Sequence, residues 1–382
     1  MKAIFLSRPF ILLFAMNFLF FTGLNILNVI PPYLEFLGAS KTYVGLFMNI
    51  NSLALVLLVA PLARFTDLWG RKRLVMIGYI LVLVSLLLMF IFSKDLVLLV
   101  VFRITGTLIF CLAFTIHGAE AFELLPRDKR ASGAAIFGIS GLLSNPVASL
   151  VGEGILKGPG APWLFLASFG FLLWAMVLAA LYKFHKPTEL PVKGAFMGLL
   201  KRPELRILLL LTLVFGGGFT IFATFLASLT YDRLGLVQVS VFFTSFTVVA
   251  VTGRLFFSKF LDQWPRHLVV VFCFTAIGLS LWGGAILHNV WLLIPMGLLY
   301  GLGHSLLFPL LSTLFVNSGG DHEKLALNGL FASTNTLGNF VWGLSLGVLG
   351  DFAGTGAIFG TMGALALLIV PLAWFCLKNR RD

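Results

Sequence analysis

The sequence predicts an all-α polytopic membrane protein, and three observations lead to this fold class. The 382-residue chain is 59% hydrophobic and only 11% charged, whereas a soluble domain usually contains about 25% charged residues. Nearly every stretch between charge clusters reaches the roughly 20 apolar residues that a helix needs to cross a bilayer. These stretches are continuously apolar, without the alternation of apolar and polar residues that marks a membrane β-barrel.

Twelve transmembrane helices are predicted, most of them joined by short loops. The longest hydrophilic connection, residues 185–203, is predicted to be a cytoplasmic linker between two six-helix halves, residues 1–184 and 204–382. The predicted spans are 9–37, 41–65, 73–93, 95–124, 131–155, 162–184, 204–231, 238–261, 267–287, 290–317, 323–349 and 354–377.

The distribution of Lys and Arg predicts that both termini lie in the cytoplasm. In that orientation 21 of the 27 cations lie in cytoplasmic segments and 4 lie outside, while Arg103 and Arg254 lie within spans. Cytoplasmic loops of membrane proteins are enriched in such cations. The net charge of +12 therefore needs no nucleic-acid partner. We expect a multi-pass protein of the cytoplasmic membrane, in contact with its lipids.

The loop between predicted spans 2 and 3 contains the most specific motif. It reads A-R-F-T-D-L-W-G-R-K-R. Asp67, Gly70, Arg71 and Lys72 match the pattern G-x-L-a-D-r-x-G-R-K of the major facilitator superfamily, although alanine replaces the family's first glycine. The chain resembles this superfamily. For the motif taken alone, an ordinary positively charged cytoplasmic loop is the alternative.

An internal repeat extends the resemblance to the whole chain. Four features recur at an offset near 194 residues. Two parallel six-helix halves are an architecture of this superfamily, so the resemblance implies two pseudo-symmetric halves. The repeated pairs are Ser7-Arg8-Pro9 with Lys201-Arg202-Pro203, Tyr33–Gly38 with Tyr231–Gly235, Asp67 with Asp262, and Asn145 with Asn339.

The resemblance also implies a charged gate at the cytoplasmic face. The end of span 4 and the loop after it, E-L-L-P-R-D-K-R, are similar to the family's acidic helix end followed by P-x-x-R. These charges are expected to form a network that breaks and re-forms as the halves rock. A solvated charged loop is the alternative. The predicted gate residues are Asp67, Gly70, Arg71, Lys72, Glu120, Arg130 and Asp262.

Arg103 and His304 are the predicted coupling residues within the spans. Arg103 resembles the helix-4 arginine that is tied to proton transfer in proton-coupled members. Because a guanidinium keeps its proton, Arg103 would act by holding an acid or a substrate anion. Histidine is the side chain that titrates near physiological pH, so His304 is the candidate proton carrier. The alternatives are a cation reaching the outer interface and a neutral core histidine.

Uncharged polar side chains on several spans predict a substrate cavity. Asn17, Asn25 and Asn28 are spaced to share one face of a single span-1 helix, and the surrounding spans are rich in Phe. Amide hydrogen bonds between helices are the alternative. Arg254 is expected to pair with an acid across the bundle or to meet an anionic substrate, and a structural cation at the cytoplasmic end of the helix is the alternative. Besides Arg103 and His304, the predicted binding residues are Asn17, Asn25, Asn145, Asn335, Asn339 and Arg254.

Span 5 bears on the direction of transport. In this span Gly141 is followed, after three residues, by Asn145 and Pro146. This arrangement resembles the G-x-x-x-G-P signature that is associated with exporters in the family. The second glycine is replaced, and small residues with a proline bend also serve plain helix packing.

The sequence predicts a transporter rather than an enzyme. It contains no G-x-S-x-G, H-E-x-x-H, C-x-x-C or P-loop motif, so we expect no metal, no cofactor and no bound ATP. We predict a monomeric secondary transporter that exports an amphipathic or drug-like small molecule, driven by a proton gradient. A deep acid in spans 1, 4 or 7, often used by proton-coupled drug exporters, is missing. The alternatives are a facilitator or symporter for a polar metabolite, a membrane-embedded enzyme, and a non-transporting sensor.

Overall fold

The structure is a computed structural model and describes residues 7–124, 130–185, 195–257, 264–320 and 323–378. Within these residues twelve long helices confirm the predicted all-α architecture. Nine helical segments of the described chain are long and apolar enough to cross a membrane. The helices are Arg8–Asn25 (α1), Lys41–Trp69 (α2), Arg71–Ile91 (α3), Leu96–Glu123 (α4), Arg130–Lys157 (α5), Trp163–Leu181 (α6), Pro203–Leu234 (α7), Ser240–Thr252 (α8), Arg266–Ala285 (α9), Leu293–Val316 (α10), Lys324–Ala353 (α11) and Thr355–Lys378 (α12).

Several helix ends follow from local sequence signals. α1 and α7 each have a proline in the first turn, where the missing N–H has no helical partner to lose. Gly70 joins α2 to α3 with a φ of 74°, a conformation that favours glycine. Gly235 ends α7 in the left-handed region with a φ of 69°. The positive φ at position 70 therefore explains why the predicted turn contains a glycine.

The first predicted span is not one continuous helix. α1 stops at Asn25, a 3-10 turn follows over Ile26–Val29, and a short helix covers Pro31–Phe36. Proline has no N–H and its ring clashes with the preceding turn, so the two prolines at 31 and 32 stop the α-helical ladder. Asn28 lies in the 3-10 turn, which has three residues per turn. Residues three apart also align in a 3-10 turn, so the shared face of Asn17, Asn25 and Asn28 stays a prediction, although the helix that contains them is not α-helical throughout.

The chain divides into two compact units. Unit 1 comprises Met1–Ala39 and Ile50–Thr188, and unit 2 comprises Ser40–Asn49 and Glu189–Asp382. In unit 1, α1 packs against α5 and α6, and α3 packs against α4 and α6. In unit 2, α7 packs against α11 and α12, and α9 packs against α10 and α12. The same pairing recurs in both units, while the predicted boundaries at 184 and 204 stay a prediction.

Unit 2 contains the first nine residues of α2. The Asp351 carboxylate accepts hydrogen bonds from the backbone N–H groups of Lys41 and Thr42, the latter at 3.1 Å. These groups belong to the first turn of a helix, which leaves its N–H donors free and attracts negative charge. Further along, Asn49 accepts a hydrogen bond from Thr220 at 2.9 Å. Polar contacts thus hold the start of α2 within unit 2.

Candidate functional site

Unit 1 contains a group of polar side chains around the Glu120 carboxylate, whose side chain has no exposed surface. Arg71 donates to Glu120 at 2.7 Å and to Glu123 at 2.8 Å. The Tyr182 hydroxyl donates to Glu120 at 3.2 Å, and the Nδ1 of His185 lies 2.9 Å from a Glu120 oxygen. The backbone N–H of His185 donates to the same carboxylate. We call these five residues the Glu120 cluster.

The Glu120 cluster joins three helix ends around one buried negative charge. Arg71 begins α3, Glu120 and Glu123 end α4, and Tyr182 and His185 follow α6. A buried carboxylate is stable only where charge-assisted hydrogen bonds replace its water shell. Burial, and next the Glu120 charge, raise the pKa of the Tyr182 hydroxyl above its ordinary value. The Tyr182 hydroxyl therefore stays protonated and donates a hydrogen bond to Glu120.

Sequence reasoning selected part of the Glu120 cluster. Arg71 and Glu120 were predicted members of one charge network, and the structure brings them into contact. Tyr182 was not selected, and His185 was assigned to the linker. The available signal was a tyrosine and a histidine three residues apart, directly after an apolar span. The described partners of Glu120 all belong to unit 1, and the gate role stays a prediction.

Three members of the Glu120 cluster are potential metal ligands. Glu120, Glu123 and His185 each offer one atom, and these atoms lie within 4.8 Å of one another. The Arg71 guanidinium already binds both carboxylates, at 2.7 and 2.8 Å. A divalent cation would have to displace this guanidinium. The arrangement is that of an ion-pair network, and we assign no metal to it.

The other predicted gate residues differ in what the structure describes. Gly70 forms the turn before α3, and Lys72 donates from its Nζ to the Ala180 carbonyl at 2.6 Å. A cation at a helix C-terminus interacts favourably with the free carbonyls and the helix dipole there. The side chains of Asp67, Arg130 and Asp262 lie outside the described residues, so their roles stay predictions.

The predicted amides of unit 1 connect α1 to α5. Asn17 donates to the Ser140 hydroxyl at 2.7 Å, and Asn25 donates to Ser144 at 3.0 Å and to Asn145 at 3.1 Å. Interhelical hydrogen bonds of this type join transmembrane helices. The geometry matches the alternative in which these amides serve packing, and their role in binding a substrate stays a prediction.

In unit 2 the predicted amides lie where α11 meets α7. With its amide oriented by the surrounding donors and acceptors, Asn339 donates to the Gly216 carbonyl at 2.8 Å. Trp342 donates from its Nε1 to the Leu213 carbonyl at 3.1 Å. The Asn335 Oδ1 is buried and has no hydrogen-bond partner within the described residues. Asn339 thus has a packing role, whereas Asn335 keeps an acceptor available.

Arg103 is buried in α4 of unit 1. Only 4% of its surface is exposed, which argues against the alternative that its guanidinium extends to the outer interface. The Arg103 carbonyl accepts a hydrogen bond from Thr107 at 2.7 Å. A buried guanidinium in a span is costly and usually has a functional reason. Its proposed role in coupling stays a prediction.

In unit 2 an aromatic cluster surrounds His304, which is partly buried on α10. Its Nδ1 is buried and has no hydrogen-bond partner in the described chain. Helices α7, α8 and α10 supply the rings around it. The centroid distances from the imidazole are 5.2 Å to Phe215, 5.5 Å to Phe246, 5.8 Å to Phe219, 5.8 Å to Tyr300 and 6.3 Å to Phe308. We call these six residues the His304 cluster.

Arg254 borders the His304 cluster. It lies in a π-helical segment, Gly253–Phe257, that continues α8. Its Cζ lies 5.9 Å from the centroid of the Phe308 ring, within the range of a cation–π interaction. A Cβ at Gly253 would lie only 2.5 Å from the Ser305 Oγ, so glycine permits this close approach of α8 to α10. Two predicted binding or coupling residues of unit 2, Arg254 and His304, thus share one region.

His117 is a second buried histidine and lies in unit 1. It has no exposed surface, and neither ring nitrogen has a hydrogen-bond partner within the described residues. Its ring lies 5.2 Å from Phe20 and 6.2 Å from Tyr79, measured between centroids. Sequence reasoning placed His117 near the inner end of span 4 but did not select it.

Comparisons with known proteins identify the family of this chain. The family model described as Major Facilitator Superfamily matches residues 13–262 and 208–382. The quinolone resistance protein NorA of Staphylococcus aureus strain COL is 22% identical over 390 residues, covering 96% of each chain. The uncharacterised MFS-type transporter YhhS of Shigella flexneri is 25% identical over 367 residues, covering 91% of this chain and 87% of YhhS.

A solved structure has a similar fold. The crystal structure of the nucleoside transporter NupG superimposes with a TM-score of 0.81 at 14% identity, covering 98% of this chain and 100% of NupG. At this identity the likeness concerns the fold alone.

Proposed function

This chain belongs to the major facilitator superfamily, and on that premise we propose that it is a proton-coupled exporter of amphipathic or drug-like solutes. Family membership makes it a multi-pass membrane transporter for a small molecule. Such a transporter works by alternating access, in which a central site opens to one side of the membrane at a time. Export, proton coupling and the solute class are the proposed parts.

The His304 cluster is the observation that supports this proposal. Five aromatic rings lie within 6.3 Å of the imidazole, measured between centroids. Aromatic faces bind planar apolar groups by stacking, and ligand sites combine such walls with a few polar groups. This composition suits an amphipathic solute better than a sugar. The full-length similarity to NorA, whose name states quinolone resistance, also supports the proposed export of a drug-like solute.

We propose His304 as the proton carrier. Its Nδ1 is buried and has no partner within the described residues, so it is available to a proton or to a solute. Histidine is suited to proton exchange near neutral pH. Arg103, the second proposed coupling residue, lies in unit 1, where it would hold an anion rather than exchange a proton.

The test is transport by purified protein in proteoliposomes. The vesicles have a lumen more acidic than the outside, and uptake of a quinolone, a sugar and an amino acid is measured with and without a protonophore. We expect quinolone uptake that the protonophore abolishes and that His304→Gln lowers at least tenfold. The control is His267→Gln, because His267 packs against Trp374 on another face of unit 2.

Other outcomes would point to the alternatives. Uptake of the sugar or the amino acid, without quinolone uptake, would favour a facilitator or symporter for polar metabolites. Binding of a solute without transport would favour a sensor. Proton-driven uptake that survives both His304→Gln and Arg103→Gln would keep the exporter and contradict the assigned coupling residues.

We also propose that the protein acts as a monomer without a cofactor and has both termini in the cytoplasm. The excess of Lys and Arg in one set of loops supports this orientation. An epitope tag at either terminus should resist protease in intact cells and become digestible after permeabilisation. Digestion of either tag in intact cells would contradict this orientation.

A further inference from the structure

We propose that Arg254 and the His304 cluster form a subsite for the negatively charged group of an aromatic organic monoanion, such as an aryl carboxylate. This inference rests on the proposed function and specifies its solute class. It commits to an anion, whereas an amphipathic solute in general could be neutral or cationic. Four observations in unit 2 support it.

The first observation is a cation without a carboxylate. Within the described residues the ion pairs of unit 2 do not include Arg254, and its guanidinium lies over the face of Phe308. An unpaired charge within a protein interior or a membrane span is costly. A bound anion would supply the missing counter-charge, because a guanidinium binds a carboxylate through two parallel hydrogen bonds.

The second observation is the distribution of acids in this half of the chain. From residue 204 onward the sequence has seven acidic residues, and the four within the described residues all lie at helix ends. A lipophilic cation would need a carboxylate beside the aromatic rings. The chain offers Arg254 there, so the charge of the site favours an anion. The seven are Glu204, Asp232, Asp262, Asp321, Glu323, Asp351 and Asp382.

The third observation is a pair of unused polar atoms on α10. Tyr300 is fully buried, yet its hydroxyl has no hydrogen-bond partner within the described residues. The Nδ1 of His304, one turn further along α10, is also buried without a hydrogen-bond partner within the described residues. Buried polar groups are normally satisfied, and those that are not call for a specific reason. A carboxylate or a hydrogen-bonding ring substituent would satisfy them.

The fourth observation is how the backbone brings these groups together. A Cβ at Gly301 would lie 2.8 Å from the Phe246 carbonyl, and one at Gly253 would lie 2.5 Å from the Ser305 Oγ. Two glycines thus let α8 and α10 approach closely. The π-helical segment that contains Arg254 begins at Gly253, and single π turns often occur at functional sites.

The subsite is also accessible. Phe308 is 36% exposed, and Arg254 and His304 are both partly buried. The rings of His304 and Phe308 are stacked, with 23° between their planes, and the guanidinium lies over Phe308. A planar aryl group can therefore contact the exposed ring of Phe308 while its carboxylate reaches the guanidinium.

The test compares probes that share one ring system and differ in charge. Equilibrium binding of 2-naphthoate, 2-naphthamide and 2-naphthylmethylammonium to the purified wild-type protein in detergent is measured, with decanoate as an anion that lacks a ring. We expect 2-naphthoate to bind roughly 10- to 100-fold more tightly than the amide, the range expected for a hydrogen bond to a charged group. The cation and decanoate should bind more weakly than 2-naphthoate.

Variants then locate the effect. Arg254→Gln should abolish the preference for 2-naphthoate over 2-naphthamide, and Arg254→Lys should retain part of it. Arg233→Gln is the matched control, because it removes one positive charge from the last turn of α7, where Arg233 faces the Ala285 carbonyl. It should leave the preference unchanged. The wild-type probe series keeps the test decisive even if Arg254→Gln fails to fold.

Equal binding of acid and amide, tighter binding of the ammonium or of decanoate, or no binding of any probe would overturn the inference. So would a preference that survives in folded Arg254→Gln. These results would leave the exporter standing if proton-driven quinolone uptake is observed in proteoliposomes. Conversely, selective binding of 2-naphthoate without any transport would support the subsite and contradict the proposed function.

Discussion

The Glu120 cluster of unit 1 and the His304 cluster of unit 2 differ in whether their buried polar groups have hydrogen-bond partners within the described residues. Glu120, at the end of α4, is fully buried and has hydrogen-bonding partners from the ends of two other helices. In the His304 cluster the Tyr300 hydroxyl and the His304 Nδ1 have no partner within the described residues. The bordering Arg254 contacts a ring rather than an acid.

This difference is the one expected between a structural network and the proposed binding site. A polar network that is fully satisfied stabilises the fold, and removing one member leaves the others buried without a partner. A group that is left unsatisfied reduces stability unless a ligand completes it. We therefore expect mutations in the Glu120 cluster to affect stability first, and mutations in the His304 cluster to affect binding first. Binding at the His304 cluster is tested by the naphthoate series above, and four predictions test the stability side of this contrast.

The largest effect on stability is expected for Glu120→Gln. The change removes the charge that Arg71, Tyr182 and His185 surround, and breaking a buried ion pair usually costs about 3–5 kcal/mol. The measurement is the apparent Tm of the purified protein in detergent. A Tm equal to that of wild type would show that the network contributes no stability.

A smaller loss is expected for Gly301→Ala, which acts on the packing beneath the His304 cluster. The new methyl group would lie 2.8 Å from the Phe246 carbonyl, and overpacking of this kind usually costs about 1–3 kcal/mol. Gly170→Ala is the control, because a Cβ there meets nothing within 4 Å. The same thermal measurement applies, and equal Tm values for the two variants would contradict the close contact of α8 and α10.

A gain of stability is expected for His117→Phe. Two buried ring nitrogens without partners in the described chain would be replaced by carbon, and each unsatisfied group costs about 1 kcal/mol or more. The contacts with Phe20 and Tyr79 suit another ring. The control is His267→Phe, at a site that is partly exposed. A fall in Tm for His117→Phe would show that the imidazole has a stabilising partner.

The smallest effect is expected for Glu323→Gln, the matched acid of unit 2. Glu323 pairs with Arg202, and both side chains are partly exposed, at 21% and 33%. Exposed ion pairs contribute little, because water and salt screen them. Its Tm should stay close to that of wild type. A fall as large as that of Glu120→Gln would remove the contrast between buried and exposed pairs.

The sequence predicted most of the fold because its signals are local. Apolar runs of sufficient length gave the twelve helices, and Gly70 gave a turn through its own backbone freedom. The first span was predicted with nearly the bounds of the segment Arg8–Phe36, whereas the change of helix type after Asn25, ahead of the prolines at 31 and 32, was not predicted. Arg71 and Glu120 were selected because they match a family motif, which records a tertiary contact indirectly.

The rest of the site was decided by tertiary structure. His185 and Glu120 are 65 residues apart, and Asn17 and Ser140 are 123 apart. Hydrophobic periodicity constrains only neighbours within a turn or two of helix, so no pattern in the sequence pairs such residues. Composition showed that Phe is abundant, but it did not show which rings surround His304. The sequence by itself determined the family, the helices and their turns. The close packing of helices, which glycines such as Gly253 and Gly301 permit, decided which buried groups are satisfied and which remain available to a ligand.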